Sequence, residues 1–365
     1  MKKYTALLLA LLLTLSLTAC GQTEDTGDTE WEYPAAFAGL ETLVEQAQAE
    51  GSLTVYGSCP ATYLTAACET FETLFNVRVS YQQVSDQAVL DKLSKPGRPG
   101  ADVWFGADSG ALEQAASMGG LTAYVPAAAA GLSDSDFAGA DGQWYGVAVD
   151  PLELMVNTAS LKAMEIGAPE DWADLTELEY WELVWLPGYD TTEGRLLAQA
   201  AWDAFGDKAE KYLLELDENV AQYTEDGDPA AKYVGTGECV VAVGLLSSGA
   251  AQRLENSYDD IRLITPRSGT PYVLNGSAIL RGTAHSAAAQ LWMEYALSPT
   301  CQALAAMNGW YVWPTVENVS LPEDLAQLNV DLDGLTCRLP MGEDAEALDS
   351  LIDAVQTVLN PPAES

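Results

Sequence analysis

Hydroxyl-bearing side chains recur where an apolar, strand-like run gives way to a helical pattern. Ser58, Ser109 and Ser248 follow such runs at SLTVYG, VWFGAD and CVVAVG, and Thr191 and Thr192 open another helical pattern. The first N–H groups of a helix lack partners inside the helix, and the helix dipole makes that end positive, so these loops favour a negatively charged group. The same residue types also act as simple helix caps. The sequence therefore predicts anion binding by these five side chains, with capping as the alternative.

Two aspartates at similar positions could accept hydrogen bonds from an ammonium or hydroxyl group of a ligand. Asp108 ends the VWFGAD run, where capping of the next helix is its alternative role. Asp150 precedes Pro151, and a proline interrupts a central strand ladder, so Asp150 is equally a candidate hinge residue. Arg195 could pair with a carboxylate or phosphate, or lie solvated on the surface.

Catalytic and metal-binding constellations are not predicted. The chain has a single histidine, His285, and no GxSxG motif, which disfavours a Ser–His–Asp hydrolase. It also lacks the P-loop motif of nucleotide hydrolases. Apart from Cys20, five cysteines occur without a CxxC pair or a Cys/His cluster, which favours buried thiols over a zinc site. We expect a binding protein that is not an enzyme and uses no cofactor or metal.

Strand and helix patterns alternate along most of the chain, and this order positions the candidate loops. SLTVYGS, ADVWFGAD and YVLNGSAIL are predicted strands, and residues 191–205 and 207–216 are predicted helices. The alternation predicts an α/β fold with a largely parallel sheet flanked by helices. In such sheets ligands bind outside the carboxyl ends of the strands, where the candidate hydroxyls and aspartates lie.

The N-terminus carries the three parts of a secretory signal. A basic start, MKK, is followed by an apolar run from Thr5 to Ala19, which ends in LTAC at residues 17–20. The run is shorter than the ~20 residues that a membrane-spanning helix needs. Small residues before a cysteine resemble the lipobox of bacterial lipoproteins, which implies cleavage before Cys20 and lipid on its sulfur. We expect a protein anchored by lipid on the extracytoplasmic face of the bacterial cell membrane.

The chain is strongly acidic, with 16 Lys+Arg against 54 Asp+Glu and a net charge of −38. No basic stripe is present to replace counterions on a phosphate backbone, so nucleic acid is excluded as a partner. Exposed charges are screened beyond ~8 Å at physiological salt, so an acidic surface is compatible with a locally positive cleft. We interpret the acidity mainly as a source of solubility.

Five segments, in order, resemble the ferric-iron-type extracellular solute-binding proteins of ABC importers, which have the type II periplasmic-binding fold. The resemblance covers residues 37–314 and implies two α/β lobes with a ligand cleft and a hinge between them. It also implies capture of a small solute and its delivery to a permease and an ATPase on other chains. The segments are LVEQAQAEGSLTVYGS, ADVWFGADSGALEQAASMGGL, PEDWADL, NVAQYTEDGDPAAKYVGTGECVVAVG and RSGTPYVLNGSAILRGTAHSAAAQLWMEYALSPTCQAL.

By this resemblance, Tyr189, Tyr272 and Asn275 lie where family members usually touch ligand, with core packing as the alternative. Ferric-binding members use adjacent tyrosines after the CVVAVG-like strand, whereas this chain has LLSSGA there and no Tyr-Tyr pair. The resemblance also implies phosphonates, sugar phosphates or polyamines as solutes, and among these the hydroxyl-rich loops at helix N-termini favour an organic phosphate or phosphonate. Ferric iron or a polyamine as the solute, and a sensory lipoprotein that is not coupled to transport, are the alternatives.

The expected organisation is a monomer with two lobes and distinct terminal segments. The bounds are a signal peptide at 1–19, a flexible acidic linker at 20–33, lobe 1 at 34–149 plus 263–314, lobe 2 at 150–262, and a C-terminal helical tail at 315–365.

Overall fold

The computed structural model describes residues 34–225, 227–328, 330 and 332–360. The predicted signal peptide, Cys20 and the acidic linker lie outside these residues. Contacts join the chain from Pro34 onward into one unit. Along the described part of the chain, no helix is both long enough and apolar enough to cross a bilayer.

Strands and helices alternate as the sequence predicts, and YVLNGSAIL is one strand along its whole length. The strands are β1 Ser52–Gly57, β2 Arg78–Gln83, β3 Val103–Asp108, β4 Leu121–Thr122, β5 Tyr145–Asn157, β6 Val184–Pro187, β7 Val220–Thr224, β8 Val241–Leu245, β9 Ile261–Ile264 and β10 Tyr272–Leu280. The helices are α1 Glu41–Glu50, α2 Ala61–Phe75, α3 Asp86–Leu93, α4 Ser109–Ser117, α5 Thr158–Met164, α6 Thr192–Phe205, α7 Ala209–Asp217, α8 Gly227–Thr236, α9 Leu246–Glu255, α10 Ser286–Ala296, α11 Pro299–Met307, α12 Glu323–Ala326 and α13 Glu343–Leu359.

These strands form one mixed sheet with the order β2-β1-β3-β10-β5-β8-β6-β7, while β4 pairs with β10 and β9 pairs with β5. The neighbours β1, β2 and β3 are parallel, as are β6, β7 and β8. The carboxyl ends of each parallel group therefore lie at one edge of its half of the sheet. We call the half built on β1–β3 and β10 the first half, and the half built on β6–β9 the second half.

Strand β5 belongs to both halves. Its residues up to Pro151 pair with β10, and its residues from Leu152 onward pair with β8 and β9. The strand continues through Pro151, and Pro151 marks the point where β5 changes partners. Proline has no backbone N–H to donate to a neighbouring strand. It is tolerated at this position because β5 leaves β10 here and begins to pair with β8 and β9.

The predicted boundary at residue 263 needs correction. It cuts through β9, whose four residues pair with Leu154–Asn157 in the second half of β5. The chain returns to the first half only after Ile264, with β10 beginning at Tyr272. The other lobe boundaries stay predictions.

Each half has a core of its own. On one face of the first half, Trp104, Leu112 and Trp144 are fully buried against Leu274. On the other face, the ring of Trp292 from α10 lies 5.2 Å from Phe71 and from Phe105. Fully burying one such side chain contributes about 1.5–3 kcal/mol, so these clusters fix the helices against the sheet.

Helices α6, α7 and α13 share the main core of the second half. Leu196 and Leu197 of α6 pack there with Leu351 and Val355 of α13. The predicted C-terminal helical tail thus includes a helix that is part of this core.

The five cysteines of the described chain are free thiols, four of them buried and Cys337 partly exposed. This confirms the prediction of buried thiols for four of them.

Candidate functional site

Three polar side chains meet at the carboxyl ends of β1, β2 and β3. The backbone N–H of Asp108 donates to Asp86 Oδ2 at 3.1 Å, and Asp108 Oδ1 accepts from Gly110 N at 2.8 Å. Ser58 lies beside them, and its hydroxyl oxygen accepts from Trp104 Nε1 at 2.9 Å. Asp108 therefore caps α4, which is the alternative role that the sequence left open, and Ser58 is held by an internal hydrogen bond.

Burial raises the pKa of Asp86, and hydrogen bonds from the Ser58 hydroxyl and the Asp108 N–H oppose that shift. Burial also raises the pKa of Asp108, opposed by N–H groups at the start of α4 and by the charge of Arg338. Two neighbouring carboxyl groups on this edge make it a region that accepts hydrogen bonds from hydroxyl or ammonium groups.

Asp150 holds the start of α9. Its Oδ1 accepts from Ser247 N at 2.9 Å and its Oδ2 accepts from Ser247 Oγ at 2.5 Å. The neighbouring Ser248 is buried. The N-terminus of α9 is thus already engaged by a carboxylate of the protein, so an anionic ligand at this point would compete with Asp150.

The loop from β6 to α6 brings three predicted residues together. Thr191 caps α6 by accepting from Gly194 N at 3.0 Å, and Thr192 is exposed in the first turn. Gly194 lets the helix lie against the loop, because a Cβ there would overlap the backbone of Gly188. The buried Tyr189 ring lies 6.1 Å from that of Tyr223, and burial raises its pKa well above the ordinary value.

A cavity of about 720 Å³ lies between the two halves, and we call it the α4–α6 cavity. The first half contributes Ser109 and Glu113 of α4 together with Tyr272 at the start of β10. The second half contributes the α6 face with Trp202 and Asp203. Residues 337–341 and the start of α13 complete the wall.

The predicted residues divide into separate groups. Ser109 and Tyr272 line the α4–α6 cavity. Asn275 pairs with Asp108 in the ladder, and its amide donates to the Gly106 carbonyl at 3.4 Å. Ser58, Asp150, Tyr189, Thr191, Thr192 and Ser248 do not line this cavity. Arg195 forms an ion pair with Asp349 at 2.7 Å, so it joins α6 to α13.

Several residues of this region were missed from the sequence. Asp86 also follows a predicted strand, so the strand-end rule that selected Asp108 should have selected it. Trp202 lies on the exposed face of a predicted helix, where nothing local distinguishes it from a surface residue. Arg338 lies in the part predicted only as a tail, and its place depends on contacts with residues far away in the chain.

A second polar cluster surrounds His285, the single histidine of the chain. His285 Nδ1 lies 2.9 Å from Asp102 Oδ2, and Nε2 lies 3.3 Å from Ser52 Oγ. Ser52, His285 and Asp102 thus have the Ser–His–Asp arrangement of a hydrolase triad. The nearby N–H groups of Ala287 and Ala288 already donate to the Glu50 carboxylate, so they are not available to an oxyanion. The α4–α6 cavity does not include these residues. We assign the cluster a structural role.

The comparisons with known proteins agree with this architecture. Residues 99–333 match the family model of bacterial extracellular solute-binding proteins. An uncharacterized protein of Haemophilus influenzae is 30% identical over 283 residues, which cover 74% of this chain and 80% of that protein.

The chain belongs to this family of solute-binding proteins.

Solved structures of other proteins share the fold of this solute-binding protein. AfuA from Actinobacillus pleuropneumoniae, with fructose-6-phosphate bound, is 26% identical with a TM-score of 0.64, covering 86% of this chain and all of AfuA. IdiA (FutA) from Trichodesmium, in complex with iron and citrate, is 17% identical with a TM-score of 0.71, covering 84% and 99%. The solute-binding protein has the type II periplasmic-binding fold, with two lobes, a ligand cleft and a hinge between them, as its sequence predicts.

Proposed function

We propose that this protein captures a small organic phosphate or phosphonate between its lobes and delivers it to an ABC import permease. The observation that carries the proposal is the α4–α6 cavity, to which both halves of the sheet contribute side chains. A site with walls on both lobes can couple solute binding to a change in their arrangement, which is the property that a permease would recognise.

We infer the solute class from the hydrogen-bond donors that line the cavity. Ser109, in the first turn of α4, and Tyr272 both present hydroxyl groups to the cavity, and Arg338 adds a positive charge. Hydroxyl, guanidinium and helix N-terminal groups are common phosphate ligands. AfuA, which shares 26% of its residues with this chain, was solved with fructose-6-phosphate bound.

Ferric iron is disfavoured as the solute. Burial raises the pKa of Tyr272 to about 12 and raises that of Tyr189 further, so neither phenol is easily ionised to the phenolate that binds Fe³⁺. His285 is engaged with Asp102, outside the cavity. Among the described residues, no group of three or more His, Cys, Asp and Glu side chains is placed to hold a metal ion.

A polyamine is the second candidate solute. Glu113, Asp136, Asp203 and Asp344 line the cavity, and Trp202 adds an exposed ring. Carboxylates and aromatic faces are the groups that attract an organic cation. The two solute classes have opposite charge, so one binding experiment separates them.

We propose further that lipid on Cys20 anchors the protein to the extracytoplasmic face of the cell membrane, with residues 20–33 as a tether, and that it works as a monomer. A sensory role without transport is the alternative. Genes for a permease and an ATPase beside this one would support import, whereas a receptor kinase gene would support sensing.

The test is a thermal-shift screen of the mature chain against sugar phosphates, phosphonates, polyamines and ferric complexes. A ligand at 100 times its dissociation constant adds about 2.7 kcal/mol of stability, which raises the melting temperature visibly. We expect a response to an organic phosphate or phosphonate. A response confined to ferric salts or to polyamines would reject the proposed solute class and leave the solute-binding role intact.

A further inference from the structure

Segment 334–341 passes between α4 and α6 and is fixed there by its backbone. Thr270 N donates to the Gly334 carbonyl at 2.8 Å, Thr336 N donates to the Thr270 carbonyl at 2.8 Å, and Tyr272 N donates to the Cys337 carbonyl at 3.0 Å. The segment thus extends along the chain that leads into β10. This pairing sets the position of the next residue, Arg338, at the cavity wall.

Arg338 is the one cation that lines the α4–α6 cavity within the described chain. Its guanidinium carbon lies 5.1 Å from the centre of the Trp144 ring, which supports the planar group from one side. Glu113 is its ion-pair partner, with 4.0 Å between Nη1 and Oε1, and the arginine side chain is 27% exposed. This wide separation leaves the guanidinium able to take a closer partner from the cavity.

Two hydroxyl groups face the same cavity without a partner. Ser109 is 5% exposed and Tyr272 is 4% exposed, and neither hydroxyl makes a hydrogen bond to another residue of the described chain. Each hydroxyl can therefore donate a hydrogen bond to an anionic group in the cavity. Asp108 caps α4 by accepting from the Gly110 N–H, not from the Ser109 hydroxyl.

We propose that Arg338, Ser109 and Tyr272 form the subsite for a single anionic group of the solute, and that Arg338 determines specificity for it. This proposal rests on the proposed function and narrows it. Carboxylates on the remaining wall repel a second anionic group and accept hydrogen bonds from hydroxyls, while Trp202, 43% exposed, offers a ring for a sugar face. The solute class is therefore a sugar or polyol that carries one phosphate.

The test measures dissociation constants by calorimetry on the mature chain, with fructose 6-phosphate, fructose, fructose 1,6-bisphosphate and spermidine as probes. We expect the wild-type protein to bind fructose 6-phosphate more tightly than each of the other probes. Arg338→Gln should weaken fructose 6-phosphate binding by about 10- to 100-fold, because it removes hydrogen bonds to a charged group. Its effect on fructose should be less than threefold.

Arg195→Gln is the matched control. It removes an arginine of similar exposure, 33%, whose ion pair with Asp349 lies outside the cavity, and it should leave every dissociation constant within about twofold. Ser109→Ala tests the subsite without disturbing the contact between Arg338 and Trp144. It should weaken fructose 6-phosphate binding by about three- to tenfold, in line with a single hydrogen bond. Melting of the unliganded variants shows whether each is folded.

The outcomes separate this inference from the proposed function. If wild-type protein binds fructose 6-phosphate and both Arg338→Gln and Ser109→Ala bind it equally well, the subsite is overturned while import of organic phosphates stands. If spermidine binds to the wild-type protein and Arg338→Gln lowers the dissociation constant for spermidine, both the subsite and the proposed solute class are overturned. Failure of wild-type protein to bind fructose 6-phosphate or any other sugar monophosphate would also overturn the inference.

Discussion

At the scale of single residues, the carboxyl groups of Asp86 and Asp108 carry an energetic cost that the fold tolerates. Asp86 Oδ1 is buried and has no hydrogen-bond partner in the described structure. A buried carboxylate oxygen without a partner destabilises the ionised form, which agrees with the raised pKa. Such strained polar groups are frequent where a protein binds ligand.

We predict that Asp86→Asn raises the melting temperature at pH 7. Burial holds the folded-state pKa of Asp86 above the ordinary value of an aspartate. At neutral pH the ionised carboxylate therefore costs stability in the folded state, and this cost is relieved as the pH falls through the folded pKa. The stabilising effect of the substitution should shrink towards pH 4, as followed by thermal melts across that range.

Asp91→Asn is the control for this prediction. Asp91 lies on the same helix, α3, is exposed, and accepts a hydrogen bond from Gln87 at 2.8 Å. It should change the melting temperature little and without the same pH dependence. A lower melting temperature for Asp86→Asn at pH 7 would mean that the hydrogen bonds accepted by the carboxylate outweigh its burial.

The candidate site was predictable from the sequence only in part, and its residues show why. Asp108, Thr191 and Ser109 follow strands, so a local rule places them at helix starts. That rule cannot say which hydroxyl stays free: Thr191 is used by its own helix, whereas Ser109 is open to the cavity. Arg338 carries no local signal at all, because it is placed by pairing with residues about 70 positions earlier.

At the scale of elements, the cluster around Asp102 joins β1, β3 and α10. The Asp102 carboxylate accepts from Thr54 N at 2.9 Å and from Thr283 Oγ1 at 2.6 Å, and it lies 2.9 Å from His285 Nδ1. Three elements that are distant in sequence therefore depend on one buried side chain. The alternation of strands and helices was predictable from the sequence, but this connection was not, since the spacing of Asp102 and His285 suggests no contact.

We predict that Asp102→Ala lowers the free energy of unfolding by about 3–5 kcal/mol. The substitution removes a buried carboxylate and leaves several partly buried donors without an acceptor, and breaking such a buried ionic group has a cost of this size. Urea denaturation followed by circular dichroism measures the change.

An exposed aspartate on α13 provides the comparison for this change. Asp353→Ala should alter the free energy of unfolding by less than about 0.5 kcal/mol. A loss below 1 kcal/mol for Asp102→Ala would show that water replaces the lost acceptor and that the cluster does not hold the three elements together.

At the scale of the whole molecule, the type II fold was predictable because strand and helix alternation is strong and five segments resemble the family in order. The bounds of the lobes were harder to predict from the sequence. Pro151 suggested a bend or crossover, and β5 changes partners there but stays one strand, while the segment around residue 263 proved to be a strand of the second half. Both differences arise from pairing between distant strands, which local patterns do not encode.

We predict that Cys20→Ala releases the protein from the membrane fraction. The substitution removes the sulfur that would carry the lipid, and two acyl chains are what give stable anchoring. Immunoblotting of membrane and soluble fractions measures the change, with Cys337→Ala as the control because that thiol lies in the folded part and should leave the protein with the membrane. Equal membrane association of Cys20→Ala and wild-type protein would reject the lipid anchor.

The position of β10 constrains the order in which the chain can fold as it is made. β10 lies between β3 and β5, yet it is synthesised after every strand of the second half. All strands of the second half have been made once Ile264 has emerged, whereas the facing edges of β3 and β5 in the first half stay unpaired until residues 272–280 arrive. Unpaired strand edges are open to wrong partners, so during biosynthesis the sheet edges of the half that begins first stay exposed to mispairing after the strands of the other half have been made.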